Sequence, residues 1–213
     1  MYFDYSKIKQ HKLYPVLVPP LWLLSRIVYE SECHGRENVP SEGKLIIACN
    51  HVAFSDPALI VANCPRKVHY MAKSDLFENP AISVLLRNMN AFPVKRATSD
   101  RKALRYAKEI LDRGWVLGIF PEGRRVRGGV PPTEARTGIG YLARVTGADV
   151  LPCCIYKEQR VVRSKAVVRF GPVIKNSELG FEGTDKSLEM RKASEIIMNK
   201  IKELWEEERC RSK

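Results

Sequence analysis

The chain has 213 residues, 45% hydrophobic and 28% charged, with a formal net charge of +12. That is the composition of a globular protein rather than a multi-span one, and the length suits a single α/β domain with a sizeable core. The surplus of cations points to anionic partners: nucleic acid, an anionic membrane surface, or acidic substrates and carriers.

Taken in chain order, the first feature is the apolar stretch Leu13–Val28, interrupted by Pro15, Pro19, Pro20 and Arg26. A membrane span needs ~20 apolar residues, so this one is too short to cross. Asp4 in front of it and the lack of a small-residue cleavage site argue against a signal peptide. Its aromatics Tyr14, Trp22 and Tyr29, with Lys7, Lys9 and Lys12, suit a helix lying in the headgroup region. Residues 1–34 therefore read as a membrane-associated helical segment ahead of a globular domain over 35–213.

Leu45–Cys49 reads as a buried strand, and Asp56-Pro57 opens a short helix over Ala58–Asn63. Val68–Ala72 is a second strand, Pro80–Arg87 a helical run and Ala91–Val94 a short strand. Ser99 is a candidate N-cap for a helix ending at Gly114, with a basic outer face of Arg101, Lys102, Arg105 and Lys108. Trp115–Phe120 is apolar throughout and so buried on both sides. A loop follows over Arg124–Pro132, then a helix over Glu134–Val145, strands over Asp149–Tyr156 and Lys165–Val173, and a long amphipathic helix over Lys186–Glu208. This alternation predicts a mostly parallel or mixed sheet flanked by helices.

Two stretches carry chemistry. Asn50-His51 follows the first strand, and Asp56 lies five residues beyond the histidine. A histidine with a carboxylate to orient it can take a proton from an alcohol; alternatively, Asp-Pro is a helix cap and first turn. Phe120-Pro121-Glu122-Gly123-Arg124-Arg125 ends a buried strand with a carboxylate and two guanidiniums. Ligands in such sheets sit beyond the carboxyl ends of the strands, and arginine holds phosphate bidentately. Lys73 and Lys95-Arg96 follow other strands and are either anion ligands or solvated charges. Pro152, in the apolar strand Val150–Ile155, is either core or the lining of an acyl channel. The six cysteines show no C-x-x-C pair and no metal spacing, so they read as reduced thiols.

Together these elements resemble the glycerophospholipid acyltransferase family, most closely its lysophosphatidate acyltransferase branch, from about Gly35 to about Gly171. Asn50, His51 and Asp56 match the family's first motif, with the usual Ser55 and Pro57. Arg96 fits the end of the second, reached through the spaced lysine and proline from Lys73. Glu122, Gly123 and Arg125 match the third, and the strand around Pro152 matches the fourth. Arg124 departs from the pattern, standing where the family carries threonine, and Arg136 stands in for a lysine often found after the third motif.

The resemblance implies transfer of a fatty acyl group from an acyl carrier protein or coenzyme A thioester to lysophosphatidate, on the cytoplasmic face of the cell membrane. It implies no metal and no redox cofactor. His51 would be the base and Asp56 its orienter. Lys73, Arg96, Gly123, Arg124 and Arg125 would contact substrate, Glu122 would orient the glycerol, and Pro152 would line the acyl channel. Arg124 keeps open another acceptor, glycerol-3-phosphate or a lyso-ornithine lipid. A basic module binding anionic lipid or nucleic acid is the non-enzymatic reading; no helix-turn-helix, zinc finger or RNA-binding aromatic signature supports nucleic acid.

Overall fold

Strand β2 (Leu45–Cys49) is five apolar residues, all buried. A strand with no polar face must have cover on both sides, and its residues point alternately into two separate cores. Ile46 and Ala48 enter one with helices α4 (Arg101–Asp112), α5 (Gly138–Thr146) and α6 (Lys186–Arg211). Leu45, Ile47 and Cys49 enter the other with α1 (Tyr14–Val28) and α2 (Asp56–Asn63). The computed structural model describes residues 3–95, 100–126, 132, 134–158, 164–183 and 185–211.

The remaining strands are β1 (Glu30–His34), β3 (Val68–Lys73), β4 (Ala91–Val94), β5 (Val116–Ile119), β6 (Asp149–Glu158) and β7 (Lys165–Phe170). They form one seven-stranded sheet in the order β1-β7-β6-β2-β5-β3-β4. Its only antiparallel pairing among the described residues is β6 with β7. The five strands from β6 to β4 thus run in one direction and bring their carboxyl ends to one edge. The mixed α/β sheet predicted from the alternation of elements is what forms.

Several boundaries differ from the sequence reading. Helix α2 starts at Asp56, and β6 continues to Glu158 because its pairing with β7 extends through Glu158↔Lys165. Helix α4 is capped by Asp100, whose side chain accepts from the Ala103 N–H; Ser99 lies outside the described residues. Short helix α3 (Pro80–Asn88) is capped by Asn79.

The division drawn at residue 34 cuts through packed structure. β1 pairs in register with β7, and the buried Tyr14 hydroxyl accepts from the Val68 N–H at 3.0 Å. Helix α1 forms despite Pro19 and Pro20 in its interior, each of which removes a backbone donor. Leu13, just ahead of it, and Val16, Trp22, Leu23, Leu24, Ile27 and Val28 within it are all exposed. Among the described residues no helix is long and apolar enough to cross a membrane.

Candidate active site

Asn50-His51 follows β2, and Phe120-Pro121-Glu122-Gly123 follows the adjacent strand β5. The two stretches are therefore neighbours at the carboxyl edge of the sheet, where open α/β sheets place ligands. The polar groups of the second stretch clamp the backbone of the first. Glu122 Oε2 accepts the His51 backbone N–H at 2.8 Å, and the His51 carbonyl accepts from the Val126 N–H at 2.7 Å. The imidazole stacks on Phe120 with centroids 4.2 Å apart and planes 21° from parallel. Asn50 fixes the approach by bridging to β6, donating to the Ile155 carbonyl and accepting its N–H.

Asp56 is fully buried in the first turn of α2, yet its side chain does not cap that helix. It turns back instead, and Oδ2 accepts from the N–H groups of Val52 and Ala53, each at 2.7 Å, and meets His51 Nδ1 at 2.9 Å. The other oxygen, Oδ1, accepts from Lys157 Nζ at 2.9 Å. Burial pushes the carboxyl pKa up; the His51 hydrogen bond, the Lys157 charge and the Ala53 N–H together outweigh it and hold the pKa below the usual carboxylate value. Asp56 is therefore an acceptor only. His51 Nδ1 must be the donor, and in the neutral ring this leaves Nε2 with a lone pair. Of the two readings of Asp-Pro, the orienting carboxylate is the one the geometry supports.

His51 lines a cavity of about 320 Å³, at the lower end of the ~300–1,000 Å³ typical of small-molecule sites. Met71, Val94, Leu104, Ile139 and Leu142 make its apolar wall, and Lys95 and Arg136 supply cations. Gly123 also lines it. This glycine has a φ of 65°, and a Cβ there would come within 2.6 Å of the Arg136 side chain. A positive φ favours glycine, and a side chain here would also displace Arg136.

The other sequence-predicted ligands distribute unevenly. Lys73 is exposed, ion-paired with Asp75, and not among the cavity-lining residues. Arg124 and Arg125 are exposed beside the cavity but outside its lining. Arg96 lies outside the described residues. Glu122 uses one oxygen to hold the His51 backbone, a contact that the sequence reading did not assign to it. Pro152 is buried in β6 opposite Ala48, with Gly171 and Leu204 around it, and lines no part of the cavity. A proline in a central strand lacks a ladder donor but packs here as core, which is the plainer of its two sequence readings.

The sequence reading missed Lys157 as a site residue. It sits near the carboxyl end of β6, as His51 and Glu122 follow β2 and β5, so the same positional signal would have found it. The predicted strand stopped at Tyr156, one residue short.

Residues 30–156 match the family model described as Acyltransferase, more than half of the chain. The chain belongs to the acyltransferase family. Two curated relatives are named 1-acyl-sn-glycerol-3-phosphate acyltransferase. That of Bacillus subtilis (strain 168) is 32% identical over 120 residues, 56% of this chain and 59% of the relative. That of Borreliella burgdorferi is 33% identical over 130 residues, 57% of this chain and 49% of the relative. The chain thus spans about half the length of the curated relatives it matches. The crystal structure of the 1-acyl-sn-glycerophosphate acyltransferase PlsC from Thermotoga maritima shares the fold, with a TM-score of 0.69 at 21% identity, covering 96% of this chain and 84% of that one.

Proposed function

We propose that the chain transfers a fatty acyl group from an acyl carrier protein or coenzyme A thioester to the sn-2 hydroxyl of 1-acylglycerol-3-phosphate, forming phosphatidate. The observation that carries this reading is the His51–Asp56 pair at the wall of an apolar cavity with cations in its lining. His51 Nε2 takes the hydroxyl proton while the oxygen attacks the thioester carbonyl carbon. The tetrahedral intermediate collapses, the C–S bond breaks, and the imidazolium returns its proton to the departing thiolate. Asp56 stabilises that imidazolium. Arg136 and Lys95 in the cavity lining would take the acceptor phosphate, with Arg125 and Arg124 in the turn after Gly123 as further candidates, and the apolar wall takes acyl chain. The chemistry calls for no metal or redox cofactor. The names of the two bacterial relatives support the acceptor.

The same reading places the protein on the cytoplasmic face of the cell membrane. The exposed apolar residues of α1 form a surface that soluble proteins rarely leave bare. The net charge of +12 favours an anionic leaflet.

The test is acyl transfer from a long-chain thioester to lysophosphatidate in mixed micelles, with both donors offered and His51→Ala run beside the wild type. Phosphatidate made by the wild type, and a turnover about 10²–10⁴-fold lower in the variant, is the expected result. A folded wild type that acylates glycerol-3-phosphate or another lysolipid instead would change the acceptor and return attention to Arg124.

A further inference from the structure

Asp56 is a buried carboxylate shared by two partners that arrive from different directions. Lys157 comes from β6 with its side chain only 15% exposed, 2.9 Å from Oδ1, opposite the oxygen that holds His51. Its ammonium is itself held. Nζ donates to Ser55 Oγ at 3.0 Å and lies 4.8 Å from the centre of the Tyr29 ring, while the Tyr29 hydroxyl bonds Ser55 Oγ at 3.0 Å. Tyr29 is the residue that ends α1. A lysine fixed by an ion pair, a hydroxyl and an aromatic face has little freedom to leave.

With Lys157 charged and His51 neutral, the Asp56–Lys157 pair is balanced: one anion, one cation. Remove the ammonium and a fully buried carboxylate has no other permanent counter-charge among the described residues. The nearest way to restore neutrality is for His51 to take up a proton, and a protonated imidazole cannot act as the base. The backbone amides of Val52 and Ala53 still aim Oδ2 at His51. What Lys157 adds is therefore charge balance more than direction. The other titratable groups close to the pair are Glu122 after β5, Cys49 in β2 and Tyr29 after α1.

We propose that Lys157 is a positioning residue for the reaction: its ammonium neutralises Asp56, so that His51 rests unprotonated at Nε2 and ready to accept the substrate proton. The role of His51 here rests on the acyl-transfer reading above; the ion pair itself does not.

Lys157→Met tests it. At neutral pH, kcat falls about 10²-fold, the lower end of what a working base contributes. KM for the acceptor stays put, and part of the rate returns as the pH is raised. Lys157→Arg keeps the charge and recovers most of kcat. A residue that merely held the fold would lower thermal stability without this selective loss or its alkaline recovery.

An independent readout comes from ¹⁵N-labelled histidine, with the His51 signals assigned by their loss in His51→Gln. The wild-type ring carries one proton and the Lys157→Met ring carries two at the same pH. This spectrum does not depend on turnover, so it decides the role of Lys157 even if the wild type transfers no acyl group and the acyltransferase reading fails. Should Lys157→Met not fold, Lys157→Gln, which can still donate to Asp56, takes its place. A singly protonated His51 in a folded variant, or a wild-type kcat, overturns the proposal.

Discussion

The two ends of the sheet each bury a histidine, and their surroundings separate the proposed base from a piece of core. His51, 7% exposed, stands at the carboxyl edge with a carboxylate on Nδ1 and a cavity in front of it. His69, 1% exposed, stands at the opposite edge near the start of β3. It stacks on Trp115 with planes 5° apart, and its Nδ1 lies 3.2 Å from the Val116 carbonyl. A carbonyl can only accept, so His69 also donates from Nδ1, yet the charges near it among the described residues, on His11 and Lys67, oppose its protonated form. Burial pushes the His69 pKa down to about 4. Burial alone makes a histidine inert. A buried carboxylate with its own counter-ion, opening on a cavity, is what fits the other one for the proposed role of base.

The change with the largest expected effect removes the charge from that contrast. Asp56→Asn keeps the size of the side chain and can still accept from one backbone N–H. It leaves His51 with a neutral partner and Lys157 with no anion. We expect kcat to fall by about 10²–10⁴-fold, with a loss of stability of about 3–5 kcal/mol from breaking a buried ion pair on one side. Steady-state kinetics beside a denaturant titration would read both. Activity close to wild type would make His51 no more a base than His69.

How far this contrast was legible beforehand depends on what each residue does. The order of strands and helices follows from apolar runs and their spacing, so the sheet was readable. His51 and Asp56 were readable because both lie in one short stretch. Lys157 reaches Asp56 from 101 positions away, a distance that only the β2–β6 pairing closes. Pro152 was ambiguous because a buried apolar strand looks the same whether it lines a cavity or packs against a helix. Glu122 also holds the backbone N–H of His51, a contact across 71 positions that sequence separation hides.

The next effect belongs to the other histidine. The folded-state value of His69 lies near 4 against an ordinary value of 6.5. The unfolded chain therefore binds the extra proton first as the pH drops. The contribution of neutral His69 is complete above about pH 6.5 and is lost as the pH falls from there to about 4. Replacing it with an apolar residue, His69→Leu, should flatten the stability–pH curve across that window by about 1–3 kcal/mol while leaving kcat unchanged. Unfolding free energies from urea titrations at intervals through the window would show it. An unaltered slope would mean that other groups carry the acid sensitivity.

A pair of glycines allows the finest comparison, because each sits at one end of the sheet with the same backbone geometry. Gly114, just before Trp115 and the His69 stack, has a φ of 74° and open space where a Cβ would go. Gly123, in the turn that carries Glu122, has a φ of 65°, and its Cβ would press on the Arg136 side chain. Alanine at either position is strained by about 1–2 kcal/mol, the penalty of a left-handed residue. The two variants should therefore lose similar amounts of thermal stability. They should part in catalysis. Gly114→Ala leaves the cavity alone and keeps wild-type kinetics. Gly123→Ala pushes the guanidinium of Arg136 from its place in the cavity lining and raises KM for the phosphate-bearing acceptor, while His51 and Asp56 keep their contact and kcat changes little. Equal KM values for the two variants would remove Arg136 from the acceptor site and pass the phosphate to Lys95 or to Arg125.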